Sequence, residues 1–135
     1  MKSFLLLISI MFFSLPAVIK GQTADQFFNS GYAKEDAGDH YGAIADYTRA
    51  IELRPNYDMA YNNRGWAKYG LKDYSGAIVD FDKAIQLNPN NDYAWCNRGV
   101  AKWYLNDLDG ACQDWNKAKS LGNAKAVDNI DDFCK

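Results

Sequence analysis

One histidine, His40, is all the imidazole this 135-residue chain carries, and its three cysteines form no CxxC pair. No HExxH, no GxSxG and no glycine-rich phosphate loop occurs in it, so zinc hydrolysis, serine acyl transfer and nucleotide chemistry lack their residues. His40 has no metal or acid–base partner set around it, and a structural role at a helix start is expected for it. No enzyme, no cofactor and no metal site is therefore expected. A basic excess is missing too: 15 Lys and Arg stand against 17 Asp and Glu. Nucleic acid, which demands a basic face, is excluded as a partner class. No low-complexity tract interrupts the chain, and 48% hydrophobic with 24% charged residues is the balance of a folded protein. The length allows one domain at most.

Long apolar runs are absent except at the start. Residues 1–21 read MKSFLLLISIMFFSLPAVIKG: a single early lysine, an apolar stretch from Phe4 to Leu15 broken only by Ser9 and Ser14, then Pro16 and small residues. This is the pattern of a secretory signal peptide, with a cut after Gly21 that leaves Gln22 first, or equally one a few residues away. The run is shorter than the roughly 20 residues that span a bilayer. No cysteine lies near the cut, so no lipid anchor is expected. Without Lys2 and Lys20 the remaining 13 basic residues against 17 acidic ones give a net charge of −4. The protein is expected to be exported, periplasmic or secreted, with no membrane contact once the signal is removed.

What fills the rest is a repeat. Shifted by 34 residues, Gly65 falls on Gly31 and Gly99, Ala67 on Ala33 and Ala101, and Asp73 on Asp39 and Asp107. Gly76-Ala77 falls on Gly42-Ala43 and Gly110-Ala111, and Ala84 on Ala50 and Ala118, with no gap needed. Helical spacing appears twice per unit, at Ala60, Asn63, Ala67 and Leu71, then at Ala77, Ile78, Phe81, Ala84 and Ile85. Asp73 between them is an N-cap, and Pro89 ends the second helix. Helices are expected near 24–37, 40–53, 58–71, 74–87, 92–105 and 108–121. The recurring aspartates Asp46, Asp80 and Asp114 each precede a base by three residues (Arg49, Lys83, Lys117), which predicts pairs along the helix surface. Arg64 and Arg98, with Asn63 and Asn97, are expected to bond between repeats.

The pattern Tyr61, Gly65, Ala67, Asp73-Tyr74, Ala77-Ile78, Phe81, Ala84-Ile85, Leu87, Pro89 resembles the tetratricopeptide repeat. The first unit matches with Phe27, Gly31, Ala33, Asp39, Ala43-Ile44, Tyr47, Ala50-Ile51, Leu53 and Pro55, and the third with Trp95, Gly99, Ala101, Asp107, Ala111, Trp115, Ala118 and Leu121. The third has Asn123 where the proline would stand. The resemblance implies an all-α fold: a right-handed solenoid of three helix-turn-helix repeats (24–57, 58–91, 92–123) in a domain over 22–135. Residues 124–135 form the capping helix, with Ala124, Val127, Ile130 and Phe133 as its apolar stripe.

Carried over position by position, the resemblance implies a concave groove lined by the first helix of each unit. Phe28, Asn29 and Tyr32 would come from the first, beside the acids Asp25, Glu35 and Asp36. Met59, Asn62, Asn63, Trp66, Tyr69 and Gly70 would come from the second, and Tyr93, Cys96, Asn97, Val100, Trp103 and Tyr104 from the third. Aromatics are enriched where proteins recognise partners, and Asn can hold a peptide backbone by donor and acceptor at once. In the carboxylate-clamp subtype basic residues grip a peptide C-terminus. Here Asn63 matches that set, while Phe28, Tyr93 and Asn97 occupy the basic positions, and the acidic end suits a basic or neutral segment.

Cys112 lies nine residues before Leu121, and Cys134 eleven after Asn123 in the antiparallel cap. At a rise of about 1.5 Å per residue they reach equal height, which predicts a Cys112–Cys134 disulfide. Cys96 is left over, and a semi-exposed thiol on the groove side is expected. The function expected is a non-enzymatic adaptor binding a protein or peptide in its groove; the alternative is a structural module that associates with itself.

Overall fold

The structure, a computed structural model, describes residues 22–135. The segment read as a signal peptide, 1–21, lies outside the described residues. Among the described residues seven helices follow one another: α1 (Ala24–Asp36), α2 (His40–Leu53), α3 (Asp58–Gly70), α4 (Tyr74–Leu87), α5 (Asp92–Tyr104), α6 (Leu108–Ser120) and α7 (Ala124–Phe133). None is long and apolar enough to cross a membrane.

Local chemistry sets the boundaries. Thr23 and Gln26 form a reciprocal capping box at α1. Asp39, Asp73 and Asp107 accept the backbone N–H of Gly42, Gly76 and Gly110 at 2.9, 3.0 and 2.9 Å. A Cβ on any of these three glycines would collide with the capping carboxylate, which explains the recurring Gly before Ala. Asn91 and Asn123 cap α5 and α7 through the N–H of Ala94 and Ala126, each at 3.0 Å. Their amide groups donate backward to Asp58 and Asp92, both at 3.0 Å, clasping each unit to the one before.

Each hairpin closes on one large ring. Tyr47, Phe81 and Trp115 are buried against Gly31, Gly65 and Gly99, where an added Cβ would come within 2.8, 2.8 and 2.6 Å of the ring. Ala43, Ala77 and Ala111, with Ala50, Ala84 and Ala118, are fully buried beside them. Successive hairpins stack through α2 on α3 and α4 on α5, and α7 lies on α6. No hairpin covers both of its own faces, so the stack stabilises units that could not stand alone.

Three expectations are corrected here. The aspartates do not pair along their own helix. Asp80 and Asp114 turn inward, 1% and 3% exposed. Arg64 binds Asp80 through two nitrogens at 2.9 and 2.8 Å, and Arg98 binds Asp114 at 2.9 and 2.7 Å. Lys68 and Lys102 complete each site at 2.9 Å. Asp46 takes Lys34 at 2.8 Å and Ser30 at 2.6 Å, because Ser30 stands where the later units have arginine. Arg49 pairs with Glu52 instead. The same arginines reach the preceding unit, Arg64 to Thr48 at 3.2 Å and Arg98 to Asp82 at 2.8 Å.

Secondly, the packed face of α7 is not the three-residue stripe. Ala126 is buried, Val127, Ile130 and Cys134 are half-buried, and Ala124 is exposed. At about 100° per residue, nine residues turn Ala124 and Phe133 to opposite sides of the helix. Phe133 still reaches Trp103 and Trp115, with ring centres 4.8 and 5.9 Å apart. Thirdly, Cys96 is buried rather than semi-exposed, 2% accessible beneath α7. The cap covers it, and burial pushes its thiol pKa up to about 11. Cys112 and Cys134 are joined by a disulfide that ties α7 to α6.

Candidate functional site

The first helix of each hairpin faces one side of the stack, with α3 touching both α1 and α5. Between them opens a cavity of about 520 Å³. Phe28 and Tyr32 of α1, Met59, Asn62, Asn63 and Trp66 of α3, and Tyr93 and Asn97 of α5 line it. Tyr69 and Trp103 line an adjoining cavity of about 300 Å³ that shares Trp66. Asn29 is exposed on α1 and lines neither cavity. The aromatics remain available: Tyr32 is 61% and Tyr93 58% exposed.

The asparagines form a relay. Asn97 Nδ2 donates to Asn62 Oδ1 at 3.1 Å, and Asn62 Nδ2 donates to Asn63 Oδ1 at 3.0 Å. Asn62 is buried and serves as the bridge from α5 to α3. Among the described residues the relay leaves the Asn63 NH2 as a donor and the Asn97 carbonyl oxygen as an acceptor at its two ends, the pair of groups that a peptide unit complements. Trp66 stacks on Tyr69 with centres 4.7 Å apart.

Charge is unevenly spread. Asp25 does not contribute a free negative charge, since Arg54 binds it at 2.9 and 3.1 Å and the Tyr57 hydroxyl donates to it at 2.9 Å. Those bonds hold its carboxyl below the usual carboxylate range. Glu35 and Asp36 line a further cavity with Tyr32, Tyr47, Asn63 and Trp66. Glu35 holds His40 Nδ1 at 3.1 Å, and the His40 ring packs over Gly70, which gives the single histidine its structural place.

Lys125 on α7 was not expected here. Its ammonium lies 5.5 Å from the Trp66 ring centre, and it borders both the main and the adjoining cavity. A sequence signal existed. Asn123 repeats the cap and clasp of Asn91 with an offset of 32 rather than 34, so α7 is the first helix of a fourth unit. In that register Lys125 follows Met59 and Tyr93, and Asn129 follows Asn63 and Asn97. Among the described residues no group of three or more His, Cys, Asp or Glu could hold a metal ion.

A solenoid of helical hairpins with an open groove defines the class, and known proteins define the family. The profile named tetratricopeptide repeat matches residues 25–57 and again 59–91. The first such domain of Spaghetti (RPAP3), bound to the HSP90 peptide SRMEEVD, is 26% identical with a TM-score of 0.80, covering 84% of this chain and 91% of that one. The corresponding domain of Arabidopsis OM64 is 26% identical, TM-score 0.80, over 82% and 93% of the two chains. The second domain of human RPAP3, in complex with the HSP70 peptide SGPTIEEVD, is 28% identical, TM-score 0.75, over 83% and 98%. A search of curated proteins finds no match. The chain is a tetratricopeptide-repeat protein.

Proposed function

We propose that this protein is an exported, non-enzymatic adaptor that holds an extended segment of a protein partner in its concave groove. The observation that carries this is the pairing of the exposed Tyr32 and Tyr93 and the half-buried Trp66 with the donor of Asn63 and acceptor of Asn97. Rings bury the side chains of the segment and the amides hold its backbone. Support also comes from similar structures that carry bound peptides. The segment is not a free C-terminus gripped by a ring of bases, because Phe28, Tyr93 and Asn97 fill those positions and Lys125 is the one base bordering the main cavity. Export is supported by the apolar segment 1–21 and by the disulfide, which persists in oxidising compartments.

Crosslinking capture from the native cells, beside a Trp66→Ala, Asn63→Ala double variant, tests the reading. A partner held by the wild type and lost in a variant of unchanged helicity is expected. Equal capture by both contradicts the groove. Self-association is the second reading, favoured by Tyr104, Leu105, Leu108 and Phe133, 45%, 45%, 43% and 39% exposed around the α5–α6 turn. Sedimentation that grows with concentration, without a partner, would support it. N-terminal sequencing of the mature protein, starting at or near Gln22, tests export.

A further inference from the structure

We propose that the cavity between α1 and α3 receives a cationic side chain, lysine or arginine, of the segment bound in the groove. The assignment rests on the groove reading above and names the chemistry of one of its positions. The cavity holds about 330 Å³ and is lined by Tyr32, Glu35, Asp36, Tyr47, Asn63 and Trp66.

The observation that carries it is the Tyr47 hydroxyl. Tyr47 is fully buried, and its hydroxyl has no hydrogen-bond partner among the described residues. The Asn63 amide lies near enough to act on this hydroxyl, but it does not reach hydrogen-bond geometry with it. A buried, unpartnered hydroxyl is costly and needs a reason. Packing does not supply one, because the repeat provides its own comparison. Phe81 fills the same place over Gly65 with no polar atom, and Trp115 fills it over Gly99 while its Nε1 donates to the Cys96 carbonyl at 3.2 Å. Among the described residues the first unit's ring is the one with an unsatisfied polar atom, and it borders a cavity that also holds Glu35 and Asp36.

The rest of the lining fits the same guest. Glu35 is held in place by His40, and Asp36 is exposed with no ion pair among the described residues. The neighbouring base Lys34 is engaged by Asp46. Tyr32 and Trp66 offer aromatic surface for an aliphatic stem, with the charge beyond it toward the carboxylates. The phenol oxygen, which lacks a donor, accepts one hydrogen from an ammonium or guanidinium. A metal ion is a poorer guest, since among the described residues no third His, Cys, Asp or Glu joins the two acids in a metal-binding group.

A random heptapeptide library displayed on phage, selected on the purified full chain, tests this. Selected peptides are expected to share Lys or Arg at one fixed position. Replacing that residue by norleucine in a synthetic peptide is expected to weaken binding about tenfold or more. The ratio of the two affinities is expected to fall toward one in Asp36→Asn and in Tyr47→Phe, two substitutions that keep shape and are checked for helicity by circular dichroism. Peptides that require Trp66 but carry no fixed basic residue, or a ratio unchanged in both variants, overturn this pocket and leave the groove standing. Failure to select any peptide, or peptides that bind the Trp66→Ala, Asn63→Ala variant as tightly as the wild type, overturns the groove and this assignment with it.

Discussion

Tyr47 does the packing of Phe81 and Trp115 and carries one atom that neither needs. Removing that atom should stabilise the empty protein. Tyr47→Phe is expected to raise the thermal midpoint by a few degrees, equivalent to about 1 kcal/mol; a fall would mean the hydroxyl already has a partner. Asp80 is the opposite case, a buried carboxylate satisfied by Arg64 and Lys68. Asp80→Ala strands two bases in a half-buried place and is expected to cost about 3–5 kcal/mol in a urea titration. Cys96 is buried and neutral. Its thiol pKa is raised from 9.0 to about 11 by burial, so its contribution to stability is complete below pH 9.0 and fades as pH rises through 11. At residue scale the sequence was legible where the period repeats an identity, as with Gly31, Gly65 and Gly99. It was not legible in charge pairing. Spacing puts Asp80 beside Lys83, but the partner is chosen across the hairpin, where Arg64 offers two parallel bonds at 2.9 and 2.8 Å.

The hairpin is the element that the sequence announced most clearly. Asp39, Asp73 and Asp107 cap and glycine three residues later makes room, so helix starts could be read from the residues alone. The cap helix was misread in detail because a three-residue spacing drifts about 60° per step around a helix. Its buried face follows the fourth-unit register set by Asn123, and the same register brings Lys125 to Trp66. The disulfide anchors the other end of α7 across a separation of 22 residues. Cys134→Ser is expected to lower stability by roughly 3 kcal/mol and to speed amide exchange in α7 more than in α2. It should also weaken peptide binding, since Lys125 loses its fixed place. Uniform exchange across all helices would show the bond to be incidental. Thiol titration of the intact protein under denaturing, non-reducing conditions should find one thiol, Cys96, and that thiol should resist alkylation until the protein unfolds.

Across the whole molecule, three hairpins and a cap leave one face of the stack lined by first helices, and the aromatics and asparagines gather there. That gathering was legible because position within a repeat fixes which face a residue takes. The depth of each residue was less so: Asn62 became a buried bridge, Asn29 stayed outside, and Asp25 was paired with Arg54 just past the end of α2. The groove that remains grades from the Glu35 and Asp36 end to Lys125, which gives a bound segment a direction. The most direct test is an amide NMR titration with a heptapeptide selected on the purified protein. Shifts confined to α1, α3, α5 and the start of α7, strongest around Asn63, Trp66, Asn97 and Lys125, are the predicted result. Shifts concentrated on the opposite face, around the exposed Tyr41 and Val79, would contradict the account.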